Sequence, residues 1–257
     1  GSTDVKTLKS GEENYSFDAG MFIPITLNGT SWHDLNANGL WDEVTEPPLQ
    51  GMTVTLFDRD GDVVGSTETN GAGVWIFDEM PPGTYSVMIT PPADEPYLIS
   101  PQPPVPGNGS LDGYTSDFDP ETWKTTPMYF PGGTSSDGFM DVGMYLPATI
   151  GEYVWFDTTP NGIQDGDEEP FEKPVTIKLY NSLGYQVDET ESTAAGFYQF
   201  YPVVPGSYQL EFILPDDDEE YQFTIPKMGN DTALDSDVSP TTGRTSVTVT
   251  SGEENLD

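Results

Sequence analysis

Residues 52–57 read Met52-Thr53-Val54-Thr55-Leu56-Phe57, and residues 175–180 read Val175-Thr176-Ile177-Lys178-Leu179-Tyr180. An extended chain sends successive side chains to opposite faces, so Met52, Val54 and Leu56 share one face, as do Val175, Ile177 and Leu179. Each segment therefore reads as a strand with one face on a core. Asp58-Arg59-Asp60-Gly61 and Asn181-Ser182-Leu183-Gly184 follow as hairpin turns. Outward from there come Val63–Thr67, the Asn70-Gly71-Ala72-Gly73 turn and Val74–Phe77. Pro81-Pro82-Gly83 and Val204-Pro205-Gly206 break the chain before Tyr85-Val87-Ile89 and Tyr208-Leu210-Phe212, and Thr245–Thr250 is a late strand. No stretch of about a dozen residues carries helical spacing. Short strands separated by Gly/Pro turns predict an all-β sandwich.

The two opening segments belong to a duplication. Trp155 lies 123 residues after Trp32 (155 − 32), and the same shift carries Asp34 to Asp157, Gly39 to Gly162, Asp42 to Asp165, Gly73 to Gly196 and Tyr85 to Tyr208. It also carries Asp18-Ala19-Gly20-Met21 onto Asp141-Val142-Gly143-Met144. A spacing this long is a whole domain rather than a solenoid unit. Ser10-Gly11-Glu12-Glu13-Asn14 repeats as Ser251-Gly252-Glu253-Glu254-Asn255. The expected organisation is residues 1–23 as the closing strands of an upstream repeat behind a Gly1-Ser2 cloning remnant, 24–147 as one domain, and 148–257 as a second whose last strand is truncated. The leading segment is expected to pair with a sheet edge, of its own or a neighbouring molecule.

Composition narrows the function. The 257 residues include 44 Asp and Glu against 8 Lys and Arg, a net charge of −36. That balance argues against nucleic acid and against attraction to anionic lipid. Acids in such excess bind hard cations or keep the surface hydrated in high salt. The 13 Tyr, 13 Phe and 5 Trp supply core material that disordered chains lack. With no cysteine there are no disulfides and no thiolate sites, and bound metal becomes the natural stabiliser of an exported domain. No apolar run reaches membrane-spanning length, and no signal peptide is visible. Asn-x-Ser/Thr sequons occur at Asn14, Asn28, Asn108 and Asn230.

The loop after the first strand runs Asp34-Leu35-Asn36-Ala37-Asn38-Gly39-Leu40-Trp41-Asp42-Glu43-Val44-Thr45-Glu46. Oxygen-bearing side chains alternate through Asp34, Asn36, Asn38 and Asp42, Gly39 permits a sharp turn, and Leu40 offers its carbonyl. This is the ligand rhythm of an EF-hand calcium loop. The second copy supplies Asp157, Thr159, Asn161, the Ile163 carbonyl, Asp165 and Glu168. Its acidic closer stands twelfth, whereas Glu46 stands thirteenth, and Thr159 is a weaker ligand than Asn36. Neither loop is expected to bind tightly.

These loops, with Gly151-Glu152-Tyr153-Val154-Trp155-Phe156-Asp157, Gly196-Phe197-Tyr198-Gln199-Phe200, Pro205-Gly206-Ser207-Tyr208 and Leu234-Asp235-Ser236-Asp237-Val238, resemble the SdrD-type B repeat. That repeat is a relative of the Cna-B module of bacterial surface adhesins. The resemblance implies two tandem seven-stranded, prealbumin-like Greek-key sandwiches. It further implies several calcium ions per repeat, and a spacer role in an extracellular, cell-surface adhesin. The family's late acidic pair falls on Asp235 and Asp237. In copy one Asp112 aligns with Asp235 but Tyr114 stands opposite Asp237, leaving Asp117 and Asp119 as substitutes from a shifted loop.

Other features are weaker. Some Cna-B relatives carry a Lys–Asn isopeptide, but Lys124, Lys173, Lys178 and Lys227 fit no such core geometry. His33 is replaced by Phe156 in copy two and reads as a loop-edge residue. No Ser/His/Asp set recurs in both repeats, no carboxylate pair is singled out for catalysis, and the Asp216–Glu220 run reads as a solvated loop. The expected partners are calcium ions and neighbouring repeats, with an extracellular glycan or protein ligand as an addition. Two rivals to a calcium-stiffened spacer stand beside it. One is an adhesive module gripping a ligand through Trp123, Tyr129 and Phe130, with the Pro/Gly-rich residues 91–110 as a ligand face. The other is a halophilic spacer whose acids serve hydration.

Overall fold

The computed structural model describes residues 7, 9–13, 19–102, 115–136, 140–216, 221–230 and 232–256. Asp112, Tyr114, the sequons at Asn14 and Asn108, residues 103–110 of the 91–110 insertion and residues 217–220 lie outside them. Residues 25–145 form eight strands: β1 (Ile25–His33), β2 (Thr53–Phe57), β3 (Val63–Glu68), β4 (Val74–Met80), β5 (Gly83–Thr90), β6 (Leu98–Ile99), β7 (Met128–Phe130) and β8 (Val142–Tyr145). They make two four-stranded sheets, ordered β3-β2-β5-β7 and β4-β1-β8-β6.

The second repeat repeats the plan with β9 (Ala148–Tyr153), β10 (Thr176–Asn181), β11 (Gln186–Glu191), β12 (Phe197–Val203), β13 (Gly206–Ile213), β14 (Arg244–Val249) and β15 (Glu254–Asn255). Its sheets are β11-β10-β13-β14 and β12-β9-β15, and a single 3-10 turn, Thr232–Leu234, is the only helical element among the described residues. The all-β reading holds. The first repeat has one strand more than the seven expected, because the two-residue β6 from the proline-rich insertion pairs with β8.

Alternation in sequence becomes alternation in burial: Val54 and Leu56 of β2 are fully buried while Thr53, Thr55 and Phe57 are half-buried. Each repeat closes on its own core. The first is built around Leu27, Met52, Trp75, Val87, Ile89 and Phe118, the second around Ile150, Val175, Ile177, Phe200, Leu210 and Val249. Each such side chain contributes roughly 1.5–3 kcal/mol on leaving water. The Pro-Gly-x-Tyr element has the same use twice: Tyr85 Oη donates to the Pro81 carbonyl at 2.8 Å, and Tyr208 Oη to the Val204 carbonyl at 2.7 Å. Both bonds pin the corner that leads into β5 or β13.

β1 lies inside its sheet, antiparallel to β4 and parallel to β8, with Ser31, Trp32 and His33 opposite Val142, Gly143 and Met144. That pairing fixes the start of the oxygen-rich loop, because Asp34 N–H donates to the Met144 carbonyl at 2.8 Å.

Candidate cation loops

In the first loop the buried Asp34 organises the turn. Its Oδ1 accepts from Asn38 N–H at 3.2 Å and its Oδ2 from Gly39 N–H at 2.7 Å. Gly39 takes a φ of 71°, the left-handed conformation that the sharp bend demands. Asn36 Oδ1 accepts from Asn38 N–H at 3.1 Å, and Asn38 Oδ1 from Leu40 N–H at 2.7 Å. The buried Glu46 closes the loop, with Oε1 on Leu35 N–H at 3.2 Å and Oε2 on Asp42 N–H at 3.0 Å. Asp42 itself is exposed and caps Val44 N–H at 3.0 Å.

The second loop has the same wiring. Asp157 accepts from Asn161 N–H at 3.3 Å and Gly162 N–H at 2.9 Å, and Asn161 Oδ1 from Ile163 N–H at 2.8 Å. Glu168 Oε1 accepts from Thr158 N–H at 2.7 Å and Oε2 from Asp165 N–H at 3.2 Å. Thr158 and Asp165 are the counterparts of Leu35 and Asp42, so Glu46 and Glu168 do one job from places a residue apart in sequence. The weaker ligand, Thr159, is exposed and leans on Asp165 Oδ2 at 3.3 Å, where the Asn161 amide also donates at 2.9 Å.

Burial pushes the Glu46 carboxyl above its ordinary range, and the neighbouring Asp34 and Asp42 charges push the same way, against hydrogen bonds from Asp42 and Leu35 N–H. At Asp157 burial also pushes upward, but hydrogen bonds from the Thr224 hydroxyl and the Gly162 and Asn161 amides outweigh it and hold the carboxyl below its usual value. Among the described residues no Lys or Arg pairs with Asp34 or Glu46; the ion pairs Arg59–Asp60, Lys178–Glu189 and Arg244–Glu211 lie elsewhere. No three Asp, Glu or His side chains form a compact cluster among the described residues. Each loop instead sets a few carboxylates among neutral amide, hydroxyl and carbonyl oxygens. Hard divalent cations accept that mixture. Each Asp34 and Glu46 carboxylate oxygen accepts one amide hydrogen, whereas Asp157 Oδ2 also accepts from the Thr224 hydroxyl and Glu168 Oε1 also from the Thr158 hydroxyl and Thr159 N–H. In donor type alone, all hard oxygen, the first loop suits a calcium ion.

The late acids are placed differently from the constant-shift alignment. Ser116 N–H donates to the Gly39 carbonyl at 2.8 Å, and Ser236 N–H to the Gly162 carbonyl at 3.0 Å. Thr115 bridges Leu40 just as Asp235 bridges Ile163. The spatial counterpart of Asp237 is therefore Asp117, 120 residues earlier (237 − 117), and that of Asp235 is Thr115. Copy two is three residues shorter before this point. Asp117 Oδ2 accepts from Asp141 N–H at 2.9 Å. Asp119, offered as a substitute ligand, instead caps a turn through Glu121 and Thr122 N–H at 2.9 and 2.8 Å. The sequence reading missed Asp141, a buried acid whose Oδ1 accepts from Thr30 N–H at 2.7 Å. Its signal was the duplicated Asp-x-Gly-Met.

Also unforeseen is the joint between the repeats. His33 Nε2 meets Ser251 Oγ at 2.7 Å, and its ring stands edge-on to Tyr97 with centroids 5.3 Å apart. Ser251 N–H donates to the Leu35 carbonyl at 3.1 Å, and Gly252 N–H to the Leu146 carbonyl at 2.9 Å. Leu35 thus belongs both to the first loop and to the joint. Of the aromatic trio considered for ligand gripping, Phe130 is buried and Trp123 packs on the core, leaving only Tyr129 exposed. Three of the four lysines considered for an isopeptide are otherwise engaged: Lys124 over the Phe57 ring, Lys173 with Tyr221 and Lys178 with Glu189.

Paired β-sandwiches with an oxygen-rich loop after the first strand define a tandem two-domain β module. The family model for the SdrD B-like domain matches residues 26–144 and again 148–257, and the chain belongs to that family. It is 31% identical over 247 residues to the serine-aspartate repeat-containing protein F of Staphylococcus epidermidis, covering 95% of this chain and 13% of that protein. To the serine-aspartate repeat-containing protein D of Staphylococcus aureus (strain Newman) it is 31% identical over 246 residues, covering 91% of this chain and 17% of that one. The chain thus spans under a fifth of these relatives. Among solved structures, the minor pilin GBS52 of Streptococcus agalactiae matches at 12% identity and a TM-score of 0.31, over 90% of this chain and 93% of its own. The chain is an extracellular, cell-surface module.

Proposed function

We propose that this chain is a structural spacer of a surface adhesin, stiffened by calcium and without catalytic activity. The observation that carries the reading is the doubled loop: two buried or half-buried Asp–Glu pairs, wired alike, at the same strand junction of each repeat. Asp34, Asn36, Asn38, Asp42, Glu46 and the Leu40 carbonyl would hold one ion, and Asp157, Thr159, Asn161, Asp165, Glu168 and the Ile163 carbonyl another. Asp117, Asp235 and Asp237 stand beside the loops as further oxygen donors. The ion would neutralise carboxylates that otherwise repel one another, so it favours the folded loop over the unfolded chain.

The link from ion to stiffness runs through Leu35. Its N–H is held by Glu46 and its carbonyl receives Ser251 from the second repeat. Ordering the first loop therefore orders the joint. Calorimetric titration with calcium, paired with thermal unfolding in calcium and in excess EGTA, tests the proposal. Saturable heat and a chelator-sensitive melting temperature are expected. No heat and identical melting would reject it, and restoration by bulk salt alone would favour the hydration spacer instead.

A further inference from the structure

Asparagine is followed by glycine five times, at Asn28, Asn38, Asn70, Asn108 and Asn161. In such a pair the glycine backbone nitrogen can attack the asparagine Cγ, since no Cβ blocks its approach, and the local backbone decides which pairs react. Asn108-Gly109 lies outside the described residues. In both oxygen-rich loops the attacking nitrogen is tied down: Gly39 N–H donates to Asp34 Oδ2 at 2.7 Å and Gly162 N–H to Asp157 Oδ2 at 2.9 Å, with both glycines buried. Asn28-Gly29 is held inside β1 opposite Ile76 and Trp75, where a Cβ on Gly29 would sit 2.2 Å from the Met140 carbonyl oxygen. Of these four pairs, only Asn70-Gly71, in the turn from β3 to β4, has both residues exposed. Among the described residues no acceptor meets Gly71 N–H.

Asn70 is also prepared for the attack. Its Oδ1 accepts from Ala72 N–H at 2.9 Å and from Val74 N–H at 3.1 Å. Attack at Cγ moves negative charge onto that oxygen, and two donors already aimed at it stabilise the charge as it develops. Asn38 Oδ1 and Asn161 Oδ1 each have one such amide, from Leu40 and Ile163. Asn181, in the turn from β10 to β11, has the same two-amide cradle, from Leu183 and Tyr185 N–H at 3.1 and 3.0 Å. Ser182 follows it, however, and a side chain there crowds the attacking nitrogen. In place of Asn70-Gly71 the second repeat has Thr193-Ala194. The Thr193 hydroxyl accepts from Phe197 N–H at 3.2 Å and keeps the turn with no amide to lose.

We propose that Asn70 is a modification site, converted without an enzyme to aspartate and isoaspartate. The Gly71 nitrogen bonds to Cγ and gives its proton to solvent. The Cγ–Nδ2 bond breaks, and the side-chain nitrogen takes up a proton and leaves as ammonia. Water then opens the cyclic imide, giving aspartate by attack at Cγ and isoaspartate by attack at the Asn70 backbone carbonyl carbon. Either product exchanges a neutral amide for a carboxylate. Isoaspartate also adds a carbon to the backbone of a closely held turn. On one side Thr69 pairs its N–H and carbonyl with Met52 and Gly51; on the other a Cβ at Gly73 would lie 2.3 Å from the Ser31 carbonyl oxygen. The first repeat thus carries a turn that changes with the age of the molecule, and the second repeat does not carry it there. Asp34 and Asp157 shield the asparagines of their own loops, whether or not those loops hold an ion.

Peptide mapping of the full chain, aged in mildly alkaline buffer made with heavy-oxygen water, tests this. Electron-transfer fragmentation separates isoaspartate from aspartate, and the heavy oxygen marks conversion during ageing rather than digestion. Asn70 should convert while Asn28, Asn38, Asn161 and Asn181 stay intact. In the chain unfolded in urea, Asn28, Asn38 and Asn161 should react alongside it. Gly71→Ala, which installs the residue of the second repeat, should keep Asn70 intact over the same period. It should leave the fold undisturbed, because the nearest atom to a Cβ there, Gln50 Oε1, is 3.7 Å away. An Asn70 that survives in the folded chain after the unfolded chain has reacted overturns the inference. So does conversion of Asn38 or Asn161 at the same rate in the folded chain, or of Asn70 in Gly71→Ala.

Discussion

At the scale of single residues, backbone geometry decides more than side-chain chemistry. Gly162 has a φ of 74°, and a Cβ on it would lie 2.0 Å from the Ile225 carbonyl oxygen. Gly162→Ala should therefore destabilise the second repeat by at least roughly 1–3 kcal/mol, the cost of the left-handed backbone alone, read as an earlier second unfolding transition. Glu211 gives a pH-dependent case. Hydrogen bonds from the Tyr180 hydroxyl at 2.7 Å and from Arg244 at 2.9 Å hold its carboxyl below the ordinary value of 4.5. A carboxyl depressed in the fold stabilises it above the unfolded pKa and loses that contribution as pH falls through the folded one. Glu211→Gln should thus flatten the acid limb of stability below about pH 4.5 by on the order of 0.5 kcal/mol, since the pair is partly solvated. A stability profile that is unchanged between pH 5 and pH 3 would refute the assignment.

At the scale of elements, the strands were readable because burial on one face imposes a period of two, as in Met52-Val54-Leu56. The loops were readable as oxygen-rich turns because Asp and Asn alternate through Asp34, Asn36 and Asn38 ahead of a left-handed Gly39. What stayed hidden has a physical reason in each case. Residues 111–119 carry several interchangeable Asp, Ser and Thr, so nothing in their identity revealed the three-residue contraction that places Asp117, not Tyr114, opposite Asp237. β6 is two residues long and has no periodicity to read. Glu46 and Glu168 looked misaligned because a long flexible carboxylate reaches the same two amides from adjacent positions. That equivalence yields a prediction: Glu46→Gln and Glu168→Gln should each remove the calcium-dependent gain in stability of their own repeat and leave the other's intact. At a tenfold excess of calcium over Kd the gain lost is about 1.4 kcal/mol, measured by two-transition calorimetry with and without calcium. Equal losses in both repeats would contradict independent loops.

At the scale of the whole molecule, the joint at His33, Leu35, Leu146 and Ser251 could not be read from sequence, since His33 and Ser251 are 218 residues apart and neither stands in a motif that names the other. Its effect is measurable. Ser251→Ala removes the hydroxyl shared by His33 and the Leu146 N–H, and should broaden the distribution of interdomain distances in small-angle scattering while leaving the unfolding free energy of each repeat within about 0.5 kcal/mol. Chelation of calcium should broaden it further in the native protein and add little in the variant. The parallel pairing of β1 with β8 has one more consequence. The polypeptide enters the first sandwich through β1 and leaves it through its neighbour β8, so a pull along the polymer drags the two strands past each other in opposite directions. Every bond between them then shares the load at once, as in a lap joint, rather than opening one at a time like a zip. A tether assembled from such units would hold under flow by the lie of its strands.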